Sequence, residues 1–257
     1  MSGTDHASQP EWAGPQPVMV LVQPQMGENI GFAARAMWNF GLEHMRLVHP
    51  RDGWPNTRAT TTASGAAPVL DKLSVYGTTA EAVGDLDYVL ATTARSRDLT
   101  KPVMTPERAM SHARALTVQG KKVGVLFGPE RAGLENTDIA QANAIVSVPV
   151  NPGFASLNLA QCVLLIAYEW RRQTGDDAPE IVELAGTEFA TQIEVEKLFE
   201  HFVDRLDAAG FFFPEHKADS MKLNLRNMFS RMPMTQMDVQ TFHGMLRQFV
   251  RWKERGE

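Results

Sequence analysis

The fold of this chain is decided by the stretch Ile145-Val-Ser-Val-Pro-Val-Asn-Pro-Gly-Phe-Ala-Ser-Leu-Asn-Leu-Ala-Gln-Cys-Val-Leu-Leu-Ile-Ala-Tyr-Glu-Trp170. Residues 145–150 have the apolar character of a short buried strand, and Asn151-Pro-Gly153 is typical of a turn. Residues 157–170 predict a buried helix that Ser156 is suited to cap, because a first helical turn leaves N–H groups unpaired. Such N–H groups can also face a ligand. Taken alone, the stretch is explained by an ordinary strand–turn–helix connection.

Four apolar runs upstream have the length of buried strands, and helical patterns separate them. The runs are Val18–Val22, residues 45–49, Tyr88–Thr92 and Val123–Phe127. Helices are predicted over residues 30–40, after a capping box at Thr78 and Glu81, and after Thr105 with Pro106 at the first helical position, whereas residues 50–68 are predicted to be irregular. Strands that alternate with helices predict an α/β domain on a parallel sheet.

The composition is that of a globular chain with one large domain and an appendage. The chain has 257 residues, 44% of them hydrophobic, which is enough for a sizeable core. Its single cysteine, Cys162, excludes an internal disulfide framework and a cysteine-rich zinc site. No signal peptide opens the chain and no apolar run is long enough to span a bilayer, so we expect a cytoplasmic protein with no membrane partner.

Charge and composition divide the chain into four segments. Residues 1–16 are polar and rich in Gly and Pro, so we predict a flexible arm there, followed by the α/β domain over 17–172. Residues 173–186 are predicted to be an acidic linker, and residues 173–200 together carry a net charge of −7. Residues 187–257 are predicted to be an all-helical extension. Its helices run from a capping box at Thr191 and Glu194 to about residue 209, then over 217–231 and 235–253.

Polar residues collect in the loops that follow three of the predicted strands. They are Asn29 and Arg35 after the first strand, Gly128 and Glu130 after the fourth, and Asn151, Ser156 and Asn158 after the last. Because loops at the carboxyl ends of parallel strands meet at one edge of a sheet, we expect these residues to share a pocket. The chain lacks a Gly-x-Gly-x-x-Gly after a strand, a P-loop lysine and the histidine spacing of a metal site.

Three segments at these loops closely resemble the three motifs of the SpoU (TrmH-like) branch of the SPOUT RNA methyltransferases. They are Asn29-Ile-Gly-Phe-Ala-Ala-Arg-Ala36, Phe127-Gly-Pro-Glu-Arg-Ala-Gly-Leu134 and Asn151-Pro-Gly-Phe-Ala-Ser-Leu-Asn-Leu-Ala160. Their order, spacing and position after strands match the branch, and the resemblance covers about residues 17–172. Within it, Thr93-Ala94-Arg95 and the helical extension resemble the tRNA ribose 2′-O-methyltransferases that act at nucleotide 32 of the anticodon loop.

The resemblance implies a trefoil-knotted α/β domain that binds S-adenosylmethionine, a tRNA substrate with cytidine or uridine at nucleotide 32, and a homodimer with each active site at the subunit interface. It implies a central catalytic role for Arg35, surrounded by Asn29, Glu130, Ser156 and Asn158. The implied cofactor contacts are Thr93, Ala94, Arg95, Gly128, Val148, Ala155, Ser156 and Leu157. Ala155 stands where the family often has serine, which puts only a side-chain contact in doubt.

Arg35 is the usual candidate for the general base in this family, but its chemistry is unsuited to that task. A guanidinium stays charged and has no lone pair that can accept a proton. We therefore expect Arg35 to act as an electrostatic clamp on the developing alkoxide and on a neighbouring phosphate, a task that suits its planar fork better than it would suit a lysine.

Purely structural explanations remain open for most of these residues. Glu130 can cap a turn, Gly128 and Gly133 can serve backbone geometry alone, and Asn158 can satisfy the start of a helix. Basic residues that could contact tRNA phosphates form two groups, each also explained by an ordinary solvated surface. They are Arg95, Arg97 and Lys101 in the α/β domain, and Lys217, Lys222, Arg226 and Arg231 in the extension.

Two rival functions stay open beside a tRNA ribose methyltransferase. One is a non-catalytic RNA-binding relative that keeps the fold without the activity, although the presence of Arg35, Glu130 and Asn158 argues against it. The other is an α/β metabolic domain that binds an unrelated nucleotide, for which no salt-dependent affinity for tRNA is expected. A methyltransferase that acts on another tRNA or rRNA ribose is the nearest alternative.

Overall fold

The structure is a computed structural model that describes residues 14–93, 100–174 and 183–255. Most of the predicted arm over 1–16 and of the predicted linker over 173–186 lies outside these ranges. The chain forms two compact units, Met1–Asp177 and Ala178–Glu257, and each is described by itself. Within the described ranges, no helix is both long and apolar enough to cross a bilayer.

The first unit contains a parallel sheet whose strands lie in the order β3-β2-β1-β6-β4-β7-β5. The predicted α/β fold is therefore confirmed. The strands are β1 (Val18–Val22), β2 (Met45–Val48), β3 (Ser74–Tyr76), β4 (Tyr88–Thr92), β5 (Val103–Met104), β6 (Val123–Phe127) and β7 (Ala144–Val146).

Sequence alone missed the two edge strands, β3 and β5, and misplaced the last strand. An edge strand has a neighbouring strand on one side only, so its side chains are less buried than those of a central strand. Strand β3 has three residues and β5 has two, and all of their side chains are exposed or half-buried. Neither strand therefore shows a buried apolar run in the sequence. The strand expected over residues 145–150 ends at Val146. Beyond it, Pro149 lacks the N–H that a central strand needs for its ladder.

Helices α1 to α7 of this unit cover both faces of the sheet, where two clusters of buried apolar side chains form the core. The helices are α1 (Gly27–Asn39), α2 (Thr57–Ala63), α3 (Ala67–Asp71), α4 (Thr79–Val83), α5 (Pro106–Val118), α6 (Asn136–Ala140) and α7 (Leu159–Thr174). The expected caps at Thr78 and Thr105 are confirmed.

The prediction of an irregular segment over residues 50–68 was wrong, because α2 and the start of α3 lie there. Helix α2 has the sequence Thr-Arg-Ala-Thr-Thr-Thr-Ala, and threonine is a poor helix former because its branched Cβ restricts the side chain. The side chain of Asn56 caps this helix by accepting hydrogen bonds from the N–H groups of Arg58 and Ala59. Capping and packing against α1 therefore outweigh the weak propensity of the sequence.

Helices α1 and α2 approach each other closely at two glycines of α1. A Cβ atom on Gly31 would lie 2.2 Å from the carbonyl oxygen of Ala59 and 2.0 Å from Oγ1 of Thr62, and one on Gly27 would lie 2.2 Å from Oδ1 of Asn56. These distances are far below van der Waals contact. The glycines therefore fix where α1 lies, and α1 carries Asn29 and Arg35.

Replacing Gly31 by alanine is expected to destabilise the first unit by about 1–3 kcal/mol, because the added methyl group overpacks the helix contact. The same change at Gly244, a helical position with no atom within 4 Å of the added Cβ, is the matched control. Alanine favours a helix over glycine by roughly 1 kcal/mol, so this variant is expected to be more stable. Urea denaturation of both variants measures the effects, and a stabilised Gly31→Ala protein would contradict the close approach.

The second unit consists of α8 (Gln192–Ala208), α9 (Ala218–Ser230) and α10 (Gln236–Arg255), close to the helices that the sequence predicted. The capping box at Thr191 and Glu194 is confirmed. One antiparallel bridge, Phe189 with Thr235, joins the segments that precede α8 and α10. A core of buried apolar residues holds the helices together; its buried members are Leu198, Phe199, Phe229, Met234 and Val239.

Candidate active site

A cavity of about 210 Å³ lies where the carboxyl ends of β4, β6 and β7 meet. The last residues of these strands, Thr92, Phe127 and Val146, form its floor, and the loops that follow them form its walls. This is the edge at which parallel sheets bind ligands.

The cavity contains every predicted cofactor-contacting residue that the structure describes. These residues are Thr93, Gly128, Val148, Ala155, Ser156 and Leu157. Ala94 and Arg95, the other two, lie outside the described residues. The sequence placed these side chains in three separate loops, and the fold brings them to one cavity.

The wall that follows β7 is largely apolar, whereas the opposite wall is a polar loop. Val148, Val150, Leu157 and Leu159 supply apolar surface suited to the face of a purine ring. Thr92 offers little polar contact, because its hydroxyl donates a hydrogen bond to the carbonyl oxygen of Leu126 at 2.8 Å. Specific polar contacts to a ligand therefore have to come from the loop backbone and from residues such as Ser156.

Gly128 is required by the shape of the loop that follows β6. A Cβ atom there would lie 2.2 Å from the backbone nitrogen of Leu134 and 2.4 Å from the carbonyl carbon of Gly133. The loop folds back on itself, with the N–H of Gly133 bonded to the carbonyl oxygen of Pro129 at 2.9 Å and Gly133 at a φ of +67°. Gly128 and Gly133 are therefore both explained by the backbone geometry of this loop, and the folded loop places Glu130 beside the cavity.

A chain of hydrogen bonds joins the three motif loops beside the cavity. The side-chain amide of Asn29 donates to Oε1 of Glu130 at 2.7 Å, and the amide of Asn158 donates to Oδ1 of Asn29 at 3.2 Å. The backbone N–H of Gln25 donates to the other oxygen of Glu130 at 2.9 Å. We call Gln25, Asn29, Glu130 and Asn158 the carboxamide bracket.

The two ends of the bracket fix the orientation of both amides. An ionised Glu130 can only accept, so Asn29 must present its NH₂ group to it and its oxygen to Asn158. At the other end, Oδ1 of Asn158 accepts from the N–H groups of Ala160 and Gln161 at the start of α7. Asn158 therefore caps the helix and also links it to Asn29, and the expectation that Ser156 is the cap was wrong.

Asn29 and Arg35 lie on α1 with different surroundings. Asn29 is 6% exposed and its polar atoms are used within the bracket, whereas Arg35 is exposed. Among the described residues, the guanidinium of Arg35 has no hydrogen-bond or ion-pair partner. Arg35 is therefore available to an external group, and α1 packs against α7, which Asn158 caps. The expectation that the polar residues of the three loops share one pocket was only partly correct: Gly128, Glu130 and Ser156 line the cavity, whereas Asn29, Arg35, Asn151 and Asn158 do not.

The basic residues considered for tRNA contacts are largely engaged in the fold. Lys101 donates to the carbonyl oxygens of Ala140 and Ala142 at the end of α6, so it satisfies a helix terminus. In the second unit, Arg226 pairs with Glu196 at 2.8 Å and lies over the ring of Phe199, and Lys222 lies 3.8 Å from Asp207 and over Phe212. Arg95 and Arg97 lie outside the described residues.

Cys162 of α7 also lines the cavity, and burial raises the pKa of its thiol to about 11 from a usual value of 9.0. At about pH 8 this lowers the reactive thiolate fraction roughly 100-fold. We expect the folded protein to react with a disulfide reagent about 100-fold more slowly than the urea-unfolded chain. Because the chain has a single cysteine, both rates report on the same thiol, and the unfolded chain is the control. Equal rates in the two states would show that the thiol is not buried.

Sequence inspection overlooked three residues of this region. Gln25 contributes a backbone N–H to the bracket, and a backbone group has no signature in the sequence. Thr92 and Cys162 lie in a strand and a helix that were interpreted as core, and their apolar neighbours gave no sign that they border a cavity.

Comparisons with known proteins match both units. The SpoU rRNA Methylase family matches residues 16–168, and the C-terminal domain of the tRNA methyltransferase TrmJ matches residues 193–257. The chain is 33% identical over 236 residues to the tRNA (cytidine/uridine/adenosine-2′-O-)-methyltransferase TrmJ of Pseudomonas aeruginosa (strain UCBPP-PA14), covering 89% of this chain and 91% of that protein. A tRNA (cytidine/uridine-2′-O-)-methyltransferase TrmJ of Klebsiella pneumoniae is 32% identical over 231 residues, covering 89% of this chain and 93% of that protein.

A solved structure resembles the chain over nearly its whole length. The crystal structure of TrmJ from Z. mobilis ZM4 is 48% identical, with a TM-score of 0.79, and the match covers 91% of this chain and 99% of that one. The similarity therefore extends over both units, including the three motifs, the cavity and the helical extension.

Proposed function

Because the chain belongs to the SpoU rRNA methylase family, and its second unit matches the C-terminal domain of TrmJ, we propose that it is a tRNA ribose 2′-O-methyltransferase. The substrate we propose is cytidine or uridine at nucleotide 32 of the anticodon loop, in the cytoplasm. The observation that carries the proposal is that the second and third motifs, far apart in sequence, line one cavity, and that the carboxamide bracket joins both of them to the first motif.

The methyl donor we propose is S-adenosylmethionine, which supplies a methyl group already activated on a sulfonium. The residues of the cavity fit it in character. Val148 and Leu157 offer apolar surface for the adenine, and the loops at Gly128 and Ala155 bring backbone groups close to the cavity. The trefoil knot that the family resemblance implies belongs to this proposal and stays a prediction.

Methyl transfer forms a bond from the ribose 2′-oxygen to the methyl carbon, breaks the bond from that carbon to sulfur, and releases the hydroxyl proton. The protein has to align the oxygen with the methyl group and to stabilise the charge that develops on the oxygen. We propose that Arg35 supplies the charge and contacts a neighbouring phosphate. Ser156, exposed at the cavity, borders the reacting groups, whereas Asn29, Glu130 and Asn158 hold the loops in place through their mutual hydrogen bonds.

We further propose that the chain works as a homodimer whose interface completes the active site. Helices α1 and α7 expose large apolar side chains next to the motif residues: Phe32 is 46% exposed, Leu164 38% and Tyr168 47%. Apolar surface of this kind is typical of a protein interface. A second copy there would also cover Arg35 and lower the dielectric around it. Sedimentation velocity measures the mass, and a monomer at the concentration used for activity would contradict this part.

The function is tested by mapping 2′-O-methyl groups on tRNA from cells with and without this protein. We expect the modification at nucleotide 32 to disappear without the protein and to return with the wild-type chain. Loss at another ribose would correct the position and keep the chemistry, whereas an unchanged map would overturn the proposal.

A further inference from the structure

Two histidines of the second unit meet where α8 and α10 lie side by side. Nδ1 of His201 and Nδ1 of His243 are 2.8 Å apart, and the rings stack with centroids 5.0 Å apart and an angle of 24° between their planes. Both residues are partly exposed. No sequence pattern indicated the pair, because 42 residues separate the two histidines.

The neighbours of the pair fix which nitrogen carries each proton. Nε of Arg205 lies 3.5 Å from Nε2 of His201, and a guanidinium can only donate, so Nε2 of His201 accepts. The proton of a neutral His201 is then on Nδ1, which donates to Nδ1 of His243. His243 therefore carries its own proton on Nε2, and among the described residues this N–H has no hydrogen-bond partner.

The surroundings of the pair are mainly cationic. Arg205 and Arg247 both face His201, Arg247 also faces His243, and within the described part of the chain Asp204 is the one acidic group that acts on the pair. Burial is the largest cause that lowers the pKa of each histidine, and the two arginines lower the pKa of His201 further. We call His201, Arg205, His243 and Arg247 the histidine–arginine cluster.

We propose that the histidine–arginine cluster binds a phosphate group of the tRNA backbone. The inference rests on the proposed function and assigns the second unit a part in holding the substrate. Arg205 and Arg247 are exposed, and neither makes an ion pair among the described residues, in contrast to Arg226 and Lys222 of the same unit. Two guanidinium groups without a carboxylate partner, beside a histidine N–H that has no hydrogen-bond partner among the described residues, form a site for an oxyanion.

The chemistry of the cluster favours an anion over the other ligands that a histidine pair can bind. Two guanidinium groups beside the rings repel a metal cation, and among the described residues no three His, Cys, Asp or Glu side chains form a metal-binding group. A phosphate has the opposite effect, because its negative charge offsets both arginines and favours a proton on the histidines. Binding should therefore take up a proton and strengthen as the pH falls.

The test measures the dissociation constant for an unmodified tRNA transcript with the full-length protein at several salt concentrations. In the double variant Arg205→Gln and Arg247→Gln we expect tRNA affinity to fall by about tenfold. The slope of log affinity against log salt concentration should become shallower by the equivalent of about one or two phosphate contacts. The matched control is Arg251→Gln, which removes an exposed arginine of the same unit outside the cluster and is expected to stay within about twofold. Affinity for S-adenosylmethionine should not change in either variant.

A second arm uses His243→Gln, which removes the titrating ring. When the pH is lowered from about 7.5 to 5.5, tRNA affinity should increase in the wild-type protein by a factor roughly threefold larger than in this variant. Circular dichroism melting confirms that each variant is folded, and the single variant Arg247→Gln replaces the double variant if the latter is unstable. Wild-type tRNA affinity and salt dependence in the folded arginine variants would overturn the inference while leaving the proposed function intact. Failure of the wild-type protein to bind tRNA at all would overturn the proposed function itself.

Discussion

Replacing Arg35 by lysine is expected to lower kcat by about 100-fold or more, while affinity for S-adenosylmethionine stays within about twofold. Arg35 is exposed, it does not line the cavity, and its guanidinium is free among the described residues, so the change should not disturb the cofactor site. Lysine keeps the positive charge but loses the planar fork that can contact an alkoxide and a phosphate together. Single-turnover kinetics with labelled cofactor measure the loss, and calorimetry measures cofactor binding.

The matched control for this experiment is Arg58→Lys on α2. Arg58 is also exposed in the same unit, and a lysine there can keep the ion pair with Glu28, which lies 3.4 Å away. We expect this variant to keep wild-type turnover. Near-normal turnover in Arg35→Lys would show that the fork has no geometric role.

Replacing Asn29 by aspartate is expected to lower the free energy of unfolding by about 2–3 kcal/mol at neutral pH and to lower kcat by about 100-fold or more. The variant places a second carboxylate in the position from which the amide of Asn29 donates to Glu130 at 2.7 Å. Asn29 is 6% exposed, so water cannot screen the repulsion well. The loops that hold the cofactor and substrate should separate as a result.

Acidification should restore part of this stability, because two adjacent carboxylates can share one proton. The shared proton raises a pKa in the folded state above its unfolded value, so the folded variant binds more protons than the unfolded chain as the pH falls towards about 5. Denaturation curves at several pH values measure the effect. A variant as stable and active as the wild-type protein at neutral pH would show that the carboxamide bracket contributes nothing.

The double variant Asn29→Asp with Glu130→Gln separates position from charge. The amide introduced at position 130 can donate to the carboxylate introduced at position 29 and still accept from the N–H of Gln25. That carboxylate can in turn accept from Asn158, so each hydrogen bond of the bracket has a partner again. If the bracket positions the loops, most of the stability should return and kcat should come within about tenfold of wild type. Stability without turnover would instead assign a direct chemical role to the Glu130 carboxylate.

The central strands and the longer helices could be predicted because each combines a strong local pattern with a suitable end. Val18–Val22 and Val123–Phe127 are continuous apolar runs, and Thr105 and Thr191 have the side chains that start helices. Helix α2 could not be predicted, since its stability comes from the cap at Asn56 and from glycines of another helix.

The candidate site could be predicted at the level of loops but not at the level of contacts. Parallel strands bring their carboxyl ends together, so the loops with Gly128 and Ser156 had to meet. The hydrogen bonds within the bracket depend on side-chain orientation, which spacing does not encode. The histidine–arginine cluster was missed for a similar reason, because the contact between His201 and His243 depends on how two helices pack.

The central claim is that the ribose 2′-oxygen of nucleotide 32 accepts a methyl group at the cavity formed by the loops that follow β4, β6 and β7, beside the carboxamide bracket. The most direct test compares two tRNA transcripts that differ by one atom, a ribose and a 2′-deoxyribose at nucleotide 32, with purified protein and tritiated S-adenosylmethionine. We predict that the ribose transcript incorporates one methyl group per molecule and that the deoxyribose transcript incorporates none. Equal incorporation into both transcripts, or none into either, would contradict the claim.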